Sequence, residues 1–265
     1  MRLAISLVAA LCTASALAQT TVPAFTPPRK IPAQGVSLTD AERAALVMGL
    51  ATLERELAAA AVELTRDPRR LALLPDAEVF HKAVAWSLAD DSFYSPKEIA
   101  LARRLVETGR ERVAQLRAGR APWLEAKGLV VRGYRSRLDG SVQPYGLVVP
   151  EDTPAIGTVR PLMVWLLGRG EKRTEVAFIA EREAGPPQVT PAVVMTLIPY
   201  GRFCNATKFA GEVDVMEALA AVRAQYPIDA QRIAVAGFSM GGGSTWHLAT
   251  HFPRSEEHTS ELQSH

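Results

Sequence analysis

The segment Gly237-Phe-Ser-Met-Gly241 stands between a short apolar run (232–236) and a helix-like stretch (239–251). A strand that turns so abruptly into a helix crowds its own backbone, so small residues are needed at both ends of the turn. Gly237 and Gly241 meet this need, and the turn pushes the hydroxyl of Ser239 out over the sheet. The start of the helix also offers unpaired N–H groups to a developing negative charge. The pattern predicts Ser239 as a nucleophile, the alternative being an ordinary helix N-cap.

The second half of the chain alternates strand-like and helix-like segments. Two predicted strands flank a turn at Asp139-Gly140. Two later runs lack polar alternation, which is typical of strands buried on both faces. Asp214 and Glu217 are spaced as a helix cap and its partner. This alternation predicts an α/β fold with a largely parallel sheet. The predicted strands are 128–134, 143–150, 162–167, 192–198 and 232–236, and the predicted helices are 213–226 and 239–251.

The first half of the chain is predicted to be a helical region, residues 37–120. Thr39 and Glu42 form a capping-box pair at the start of the first helix, whose leucines recur every three or four residues. A second helix is predicted over 75–88 and a third over 96–116. The simplest interpretation is a bundle that packs on the neighbouring domain, and a partner-binding role stays open.

Both ends of the chain are set apart by their sequences. Residues 1–18 have the basic, apolar and A-x-A parts of a secretory signal peptide, with an apolar run too short to span a bilayer. Residues 19–36 form a proline-rich linker. Residues 254–265 look like the translation of a common short-read sequencing adapter. We therefore expect this tail to be an artefact and the natural protein to continue beyond residue 253.

Composition excludes several classes of function. The 30 basic and 28 acidic residues give a net charge of +2, which is too balanced for a nucleic-acid-binding protein. The two cysteines exclude a disulfide scaffold, and Cys12 would leave with the signal peptide. His247 and His251 lie one turn apart but lack the glutamate of a zinc-binding helix motif. We expect no metal, no cofactor, no nucleic acid and no membrane association after signal cleavage, and export to the periplasm or medium.

The stretch 226–253, YPIDAQRIAVAGFSMGGGSTWHLATHFP, resembles secreted serine hydrolases of the α/β-hydrolase fold. It is most similar to prolyl-oligopeptidase-like and polyhydroxybutyrate-depolymerase-like esterases. Segments 135–146, 164–170, 200–202 and 210–215 also resemble this group. The resemblance covers roughly 128–253 and implies an α/β-hydrolase fold there, with a sheet that is mostly parallel and incomplete at its carboxyl end.

The resemblance also implies an oxyanion hole, the set of N–H donors that stabilises a tetrahedral intermediate. Its donors would be the N–H of Met240 and an N–H from Gly168 or Arg169. This chain has Leu167 where the family usually has histidine. Because the donors belong to the backbone, the change does not by itself remove the hole. The alternative interpretation of Gly168 is a plain turn after a strand.

A serine nucleophile needs a base and an orienting acid, which follow it in the order acid then histidine in this fold. After Ser239 the carboxylates are Glu256, Glu257 and Glu261, all in the adapter-like tail. His247 would lie roughly 12 Å along the helix from Ser239, which is too far. We expect the acid and base to be absent from this chain and the chain to be nearly inactive.

The predicted function of the parent protein is hydrolysis of carboxylic esters, small or polymeric, through an acyl-enzyme on Ser239. Two alternatives stay open: a serine peptidase of prolyl-oligopeptidase type, and a non-catalytic scaffold or binding protein that keeps the fold. The oligomeric state does not follow from the sequence.

Overall fold

A computed structural model describes residues 34–151, 158–184 and 193–252. The predicted signal peptide (1–18), most of the linker (19–36) and the adapter-like tail (254–265) lie outside the described residues. Within them, a group of helices precedes a five-stranded sheet with helices on both faces.

The helical region has three long helices and one short one, close to the predicted bounds. At its start, the Thr39 hydroxyl accepts a hydrogen bond from the Glu42 N–H at 3.2 Å, and the Glu42 carboxylate accepts one from the Thr39 N–H at 2.9 Å. The capping box is therefore confirmed. One apolar face of the first helix packs in the core shared with its neighbours. The helices are α1 (Asp40–Glu63), α2 (Pro68–Leu71), α3 (Pro75–Ala89) and α4 (Pro96–Arg117).

The described sheet is mixed: four of its five strands run in one direction, as the prediction of a mostly parallel sheet expects, and one runs against them. Its strands are β1 (Gly128–Arg135), β2 (Val142–Val149), β3 (Arg160–Leu166), β4 (Met195–Pro199) and β5 (Ile228–Gly237), in the order β1-β2-β4-β3-β5. Strand β2 is antiparallel to both β1 and β4, whereas β3 is parallel to β4 and to β5. The predicted turn at Asp139-Gly140 reverses the chain, so that β2 enters the sheet against the direction of both neighbours.

The sheet lies between two layers of helices. The helical region and α5 (Glu175–Glu183) share one apolar core with one face of the sheet. The helices α6 (Ala210–Arg223) and α7 (Met240–His251) share a second core with the other face. This layering buries both faces of the central strands, as the unbroken apolar runs at β3 and β4 predict. The mixed sheet, the two helical layers and the preceding helical region confirm the predicted fold class.

Helix α6 begins three residues earlier than predicted, and Asp214 is not its cap. The residue before the helix is Phe209, with a φ of 53° and no side-chain cap. Asp214 instead lies buried within α6 and accepts a hydrogen bond from Nε of Arg202 at 2.9 Å. The prediction that Asp214 caps α6 was wrong because its carboxylate contacts Arg202, in the loop that precedes the helix.

The helical region is joined to the sheet by a buried polar cluster around Asp76. Its carboxylate accepts hydrogen bonds from Nε and Nη2 of Arg132 at 2.9 and 3.0 Å, from the Trp123 indole at 2.9 Å and from the Gly133 N–H at 2.7 Å. A Cβ at Gly133 would lie 2.3 Å from the Pro75 carbonyl oxygen. Glycine therefore lets α3 approach β1 closely enough for these bonds to form.

No helix among the described residues is long and apolar enough to cross a membrane.

Candidate active site

Ser239 occupies the tip of a sharp turn between β5 and α7. Its φ and ψ are 55° and −115°, a conformation that residues other than glycine rarely adopt. The side chain is exposed and caps no N–H of α7. The ordinary N-cap alternative therefore lacks its defining hydrogen bond.

The two glycines of the motif are required by contacts with the end of β3. A Cβ at Gly241 would lie 2.0 Å from the carbonyl oxygen of Leu166, and one at Gly237 would lie 2.4 Å from the carbonyl oxygen of Gly241. The N–H of Phe238 also donates to the Leu166 oxygen at 3.3 Å. The strand–turn–helix geometry predicted from the motif is therefore present, and the role of Ser239 as nucleophile stays a prediction.

Two of the predicted oxyanion residues lie beside this turn. An ideal Cβ on Gly168 would be 3.7 Å from the Cβ of Ser239, and Gly168 and Met240 line one cleft. In the described part of the chain, no residue accepts a hydrogen bond from the backbone N–H of Gly168, Arg169 or Met240. Unpaired N–H groups at this place fit donors that await a ligand oxygen. The Arg169 side chain points to the surface, where it pairs with Glu171.

Arg173 holds the loop after β3, a role that sequence reasoning did not find. Its Nη1 donates to the Gly168 carbonyl oxygen at 3.0 Å, and its N–H donates to the Gly170 carbonyl oxygen at 3.0 Å. The Tyr200 hydroxyl in turn donates to the Arg173 carbonyl oxygen at 3.0 Å. These bonds fix the loop that follows Leu167.

The cleft beside Ser239 is narrow, with a volume of about 30 Å³. Cys204 and Met240 meet across it, with 3.8 Å between their sulfur atoms. A volume of this size accepts about one water-sized group.

The loop that closes the cleft is strained and is held by Arg202. Of the seven described non-glycine residues with positive φ, five lie between positions 202 and 209. The Arg202 guanidinium donates to Asp214 at 2.9 Å, to the Ser136 hydroxyl at 2.9 Å and to Asp139 at 3.2 Å. The hydrogen bond from Arg202 holds the pKa of Asp139 well below its usual value. Burial raises the pKa of Asp214, and Arg202 opposes that rise.

The structure does not bring a base to Ser239 from α7. Nε2 of His247 lies 2.8 Å from Oε1 of Glu212, so this histidine joins α7 to α6. Nδ1 of His251 lies 2.8 Å from the His247 carbonyl oxygen. Within residues 34–151, 158–184 and 193–252, no hydrogen bond joins the Ser239 hydroxyl to another side chain, and no group of three His, Cys, Asp or Glu residues could hold a metal ion.

No family model matches the chain, and no curated protein sequence matches it. Among solved structures it is similar to a thermostable esterase, with 22% identity and a TM-score of 0.33 over 47% of this chain and 38% of that one. It is similar to fluorophosphonate-binding serine hydrolase F of Staphylococcus aureus, with 18% identity and a TM-score of 0.36 over 48% and 54%. It is also similar to an acylaminoacyl peptidase of Pyrococcus horikoshii, with 16% identity and a TM-score of 0.31 over 52% and 22%. The chain spans 22% to 54% of the lengths of these three chains.

Proposed function

We propose that this chain carries the nucleophile and oxyanion hole of a serine hydrolase that cleaves carboxylic esters. The observation that carries the proposal is the exposed Ser239, held at positive φ beside N–H groups of Met240 and Gly168 that have no partner among the described residues. A strained turn of this kind persists only where the surrounding packing imposes it, and such strain is typical of functional sites.

In the proposed reaction, Oγ of Ser239 attacks the ester carbonyl carbon and gives up its proton to a base. The carbonyl oxygen becomes an oxyanion, which accepts hydrogen bonds from the N–H groups of Met240 and Gly168. The tetrahedral intermediate expels the alcohol, which takes up the proton, and leaves an acyl group on Ser239. Water then attacks the acyl-enzyme, releases the carboxylic acid and restores the serine.

We propose that the base and its acid are not among the residues that the structure describes. His247, the histidine nearest to Ser239 in sequence, is joined to Glu212 instead. Ser239 then lacks the partner that normally activates a serine hydroxyl. The chain by itself is therefore expected to form acyl-enzyme slowly.

The test is covalent labelling of the 265-residue chain, read by intact mass and peptide mapping. The chain is incubated with a p-nitrophenyl ester in buffer that contains imidazole, which supplies a base. We expect an acyl adduct on Ser239, and none on the Ser239→Ala variant at equal protein concentration. Absence of an adduct on Ser239 with and without imidazole would contradict the proposal and favour a non-catalytic scaffold.

A peptidase is the second candidate, since acyl transfer from an amide uses the same serine and oxyanion hole. A matched pair of substrates with one acyl group, a p-nitrophenyl ester and a p-nitroanilide, distinguishes the two. We propose the ester because its leaving group departs without needing a strong general acid. Equal labelling rates from both substrates would favour the peptidase.

We propose export to the periplasm or medium on the basis of residues 1–18 alone. Expression of the gene in a bacterial host, followed by amino-terminal sequencing of the exported protein, tests it. We expect the mature chain to begin at Gln19.

A further inference from the structure

The loop between β3 and α5 has a glycine on each side of Arg169, at Gly168 and Gly170. Glycine lacks the Cβ that restricts the backbone of other residues, so the peptide groups beside Arg169 have more freedom to rotate. The N–H groups of Gly168 and Arg169 have no hydrogen-bond partner among the described residues. The orientation of these peptide groups therefore depends on contacts from outside this short segment.

Two successive peptide groups of this loop are placed by different parts of the molecule. The carbonyl oxygen of Leu167 lies 2.9 Å from the position that a Cβ on Gly241 would take, at the start of α7. The next peptide group, between Gly168 and Arg169, is placed by Arg173, whose Nη1 donates to the Gly168 carbonyl oxygen at 3.0 Å. The first group is therefore held by backbone packing, and the second by a side chain.

The hydrogen bond from Arg173 fixes the direction of the Arg169 N–H as well as that of the Gly168 oxygen. A trans peptide group points its C=O and its N–H in opposite directions. Rotation of this group would move the N–H away and bring the oxygen toward its place. An N–H stabilises a developing oxyanion, whereas a carbonyl oxygen in that place repels one. The orientation of this group thus decides on which side of the loop the Arg169 N–H is available.

The Arg173 side chain is itself held by α5. Its Nε lies 3.3 Å from Oε2 of Glu181, and the side chain is 28% exposed. On the backbone, the Arg173 N–H donates to the Gly170 oxygen at 3.0 Å, and its carbonyl oxygen accepts from the Tyr200 hydroxyl at 3.0 Å. A hydrogen bond from an ionised donor is also stronger than one between neutral groups. Arg173 therefore links the loop to α5 and to the residue after β4 through a charged group that is fixed at both ends.

Gly170 leaves the space in which the guanidinium lies. A Cβ at this position would be 2.7 Å from Nη1 and 3.0 Å from Cζ of Arg173. A side chain there would displace the guanidinium from the Gly168 oxygen without removing its charge. The variant Gly170→Ala therefore breaks the same contact as a substitution of Arg173, but by a different route.

We propose that Arg173 is a positioning residue of the oxyanion hole. Its guanidinium holds the Gly168–Arg169 peptide group in one orientation, so that the Arg169 N–H serves as a donor beside the N–H of Met240. The catalytic part of this inference rests on the proposed function, in which Ser239 forms the tetrahedral intermediate. Without the guanidinium, the peptide group next to Gly168 rotates over a range of directions, and the donor is in place for only part of the time.

The first measurement reads the order of this peptide group without catalysis. Heteronuclear NMR relaxation of the whole labelled chain gives an order parameter for each backbone N–H. We expect about 0.85 for the Arg169 N–H of the parent chain and less than about 0.6 in Arg173→Ala. The matched control is Lys172→Ala, which removes one positive charge at the adjacent position. Because the Lys172 ammonium lies 5.9 Å from the centre of the Tyr94 ring, this variant should keep the parent value.

The second measurement is the rate at which Ser239 is acylated by the p-nitrophenyl ester in imidazole buffer. Loss of a positioned donor should slow Arg173→Ala about 10- to 100-fold, with little change in the ester concentration that gives half of the limiting rate. Guanidinium ion, at concentrations too low to unfold the chain, should restore part of the rate to this variant. Gly170→Ala should also be slow, and the double variant no slower than Arg173→Ala, because both act on one contact.

This inference and the proposed function can fail separately. An Arg169 order parameter that is equal in the parent and in Arg173→Ala would overturn the positioning role. So would equal acylation rates in those two chains, or equal slowing by Arg173→Ala and Lys172→Ala. Absence of any adduct on Ser239 of the parent would contradict the proposed function, and the order parameter would still decide whether Arg173 holds the peptide group. Circular dichroism of each variant confirms that it is folded.

Discussion

The cluster around Asp76 and the turn at Ser239 are built in opposite ways. The Asp76 carboxylate is buried and accepts hydrogen bonds from three residues, which join α3, β1 and the segment between α4 and β1. Ser239 is exposed and strained, and the N–H groups of Met240 and Gly168 beside it have no partner among the described residues. One region pairs its polar groups internally, and the other leaves two backbone N–H groups without such a partner.

The difference shows how this chain can hold a strained turn in place. Strain at a functional site persists only where the rest of the structure outweighs it. Here the elbow, the turn formed by residues 237–241, is fixed by the backbone contact of Gly241 with Leu166 at the end of β3, in a sheet that the Asp76 cluster joins to α3. The Asp76 cluster and the strained turn are therefore separated in space, and each can be perturbed by itself.

The largest effect is expected from Asp76→Ala. It leaves the buried guanidinium of Arg132 without its carboxylate, and breaking a buried pair from one side destabilises by about 3–5 kcal/mol. Urea unfolding followed by circular dichroism measures the free energy of unfolding. The matched control is Glu107→Ala, which breaks the exposed pair with Arg110 and should cost less than about 1 kcal/mol. Equal losses in the two variants would contradict the role given to the cluster.

Gly241→Ala tests the close contact at the elbow. The new Cβ would meet the Leu166 oxygen at 2.0 Å, so the turn must shift, and we expect a loss of about 1–3 kcal/mol in unfolding free energy. Gly243→Ala, two residues further along α7, is the control. Nothing lies within 4 Å of its added Cβ, so helix propensity should raise stability by about 0.5–1 kcal/mol. A gain in both variants would mean that the contact is relaxed in solution.

Ser239→Gly measures the strain of the turn itself. Glycine adopts a φ of 55° without steric conflict, so this variant should be more stable by about 1 kcal/mol despite the greater freedom of its unfolded chain. Ser239→Ala removes the same hydroxyl but keeps the Cβ, so it should gain nothing. Thermal unfolding of the two variants beside the parent chain gives the difference. An equal gain from both would assign the effect to the hydroxyl rather than to the backbone.

The smallest expected effect is a pH dependence of the unfolding free energy. It arises from Asp139, which pairs with Arg202 of the loop beside the elbow. Arg202 lowers the pKa of Asp139 in the folded chain. The ionised carboxylate therefore adds stability above the ordinary pKa near 3.9, and this stability is lost as the pH falls below that value toward the folded-state pKa. Because Asp139 is largely exposed and screened, we expect less than about 1 kcal/mol. The difference in unfolding free energy between the parent and Asp139→Asn should be constant above pH ~5 and shrink below pH ~4. A difference that grows on acidification would contradict it.

Features that depend only on residues close together in the sequence were predictable. The capping box at Thr39, the turn at Asp139-Gly140 and the elbow around Ser239 depend on residues within a few positions of each other. Their geometry follows from backbone sterics and local hydrogen bonds. The strand-to-helix turn was the strongest of these signals because Gly237 and Gly241 leave few alternatives.

Features that depend on distant contacts were not predictable. Asp214 was predicted to be a helix cap, but it pairs with Arg202 from a loop. The sequence shows only that both charged residues are present, not that they meet. The alternation of elements also does not reveal that β2 pairs with β4 and runs against the other four strands. Asp76 gave no local signal, since its partners are 47 or more residues away.

The contact between the elbow and β3 constrains the residue type on one side only. The two glycines must be small, whereas position 166 contributes only a carbonyl oxygen, which every residue has. A chimera with a crossover between β3 and β5 can therefore accept a foreign β3, provided that the incoming elbow keeps glycine at both ends. Exchange of the segment 160–170 for that of a similar chain should then leave the turn at Ser239 unchanged.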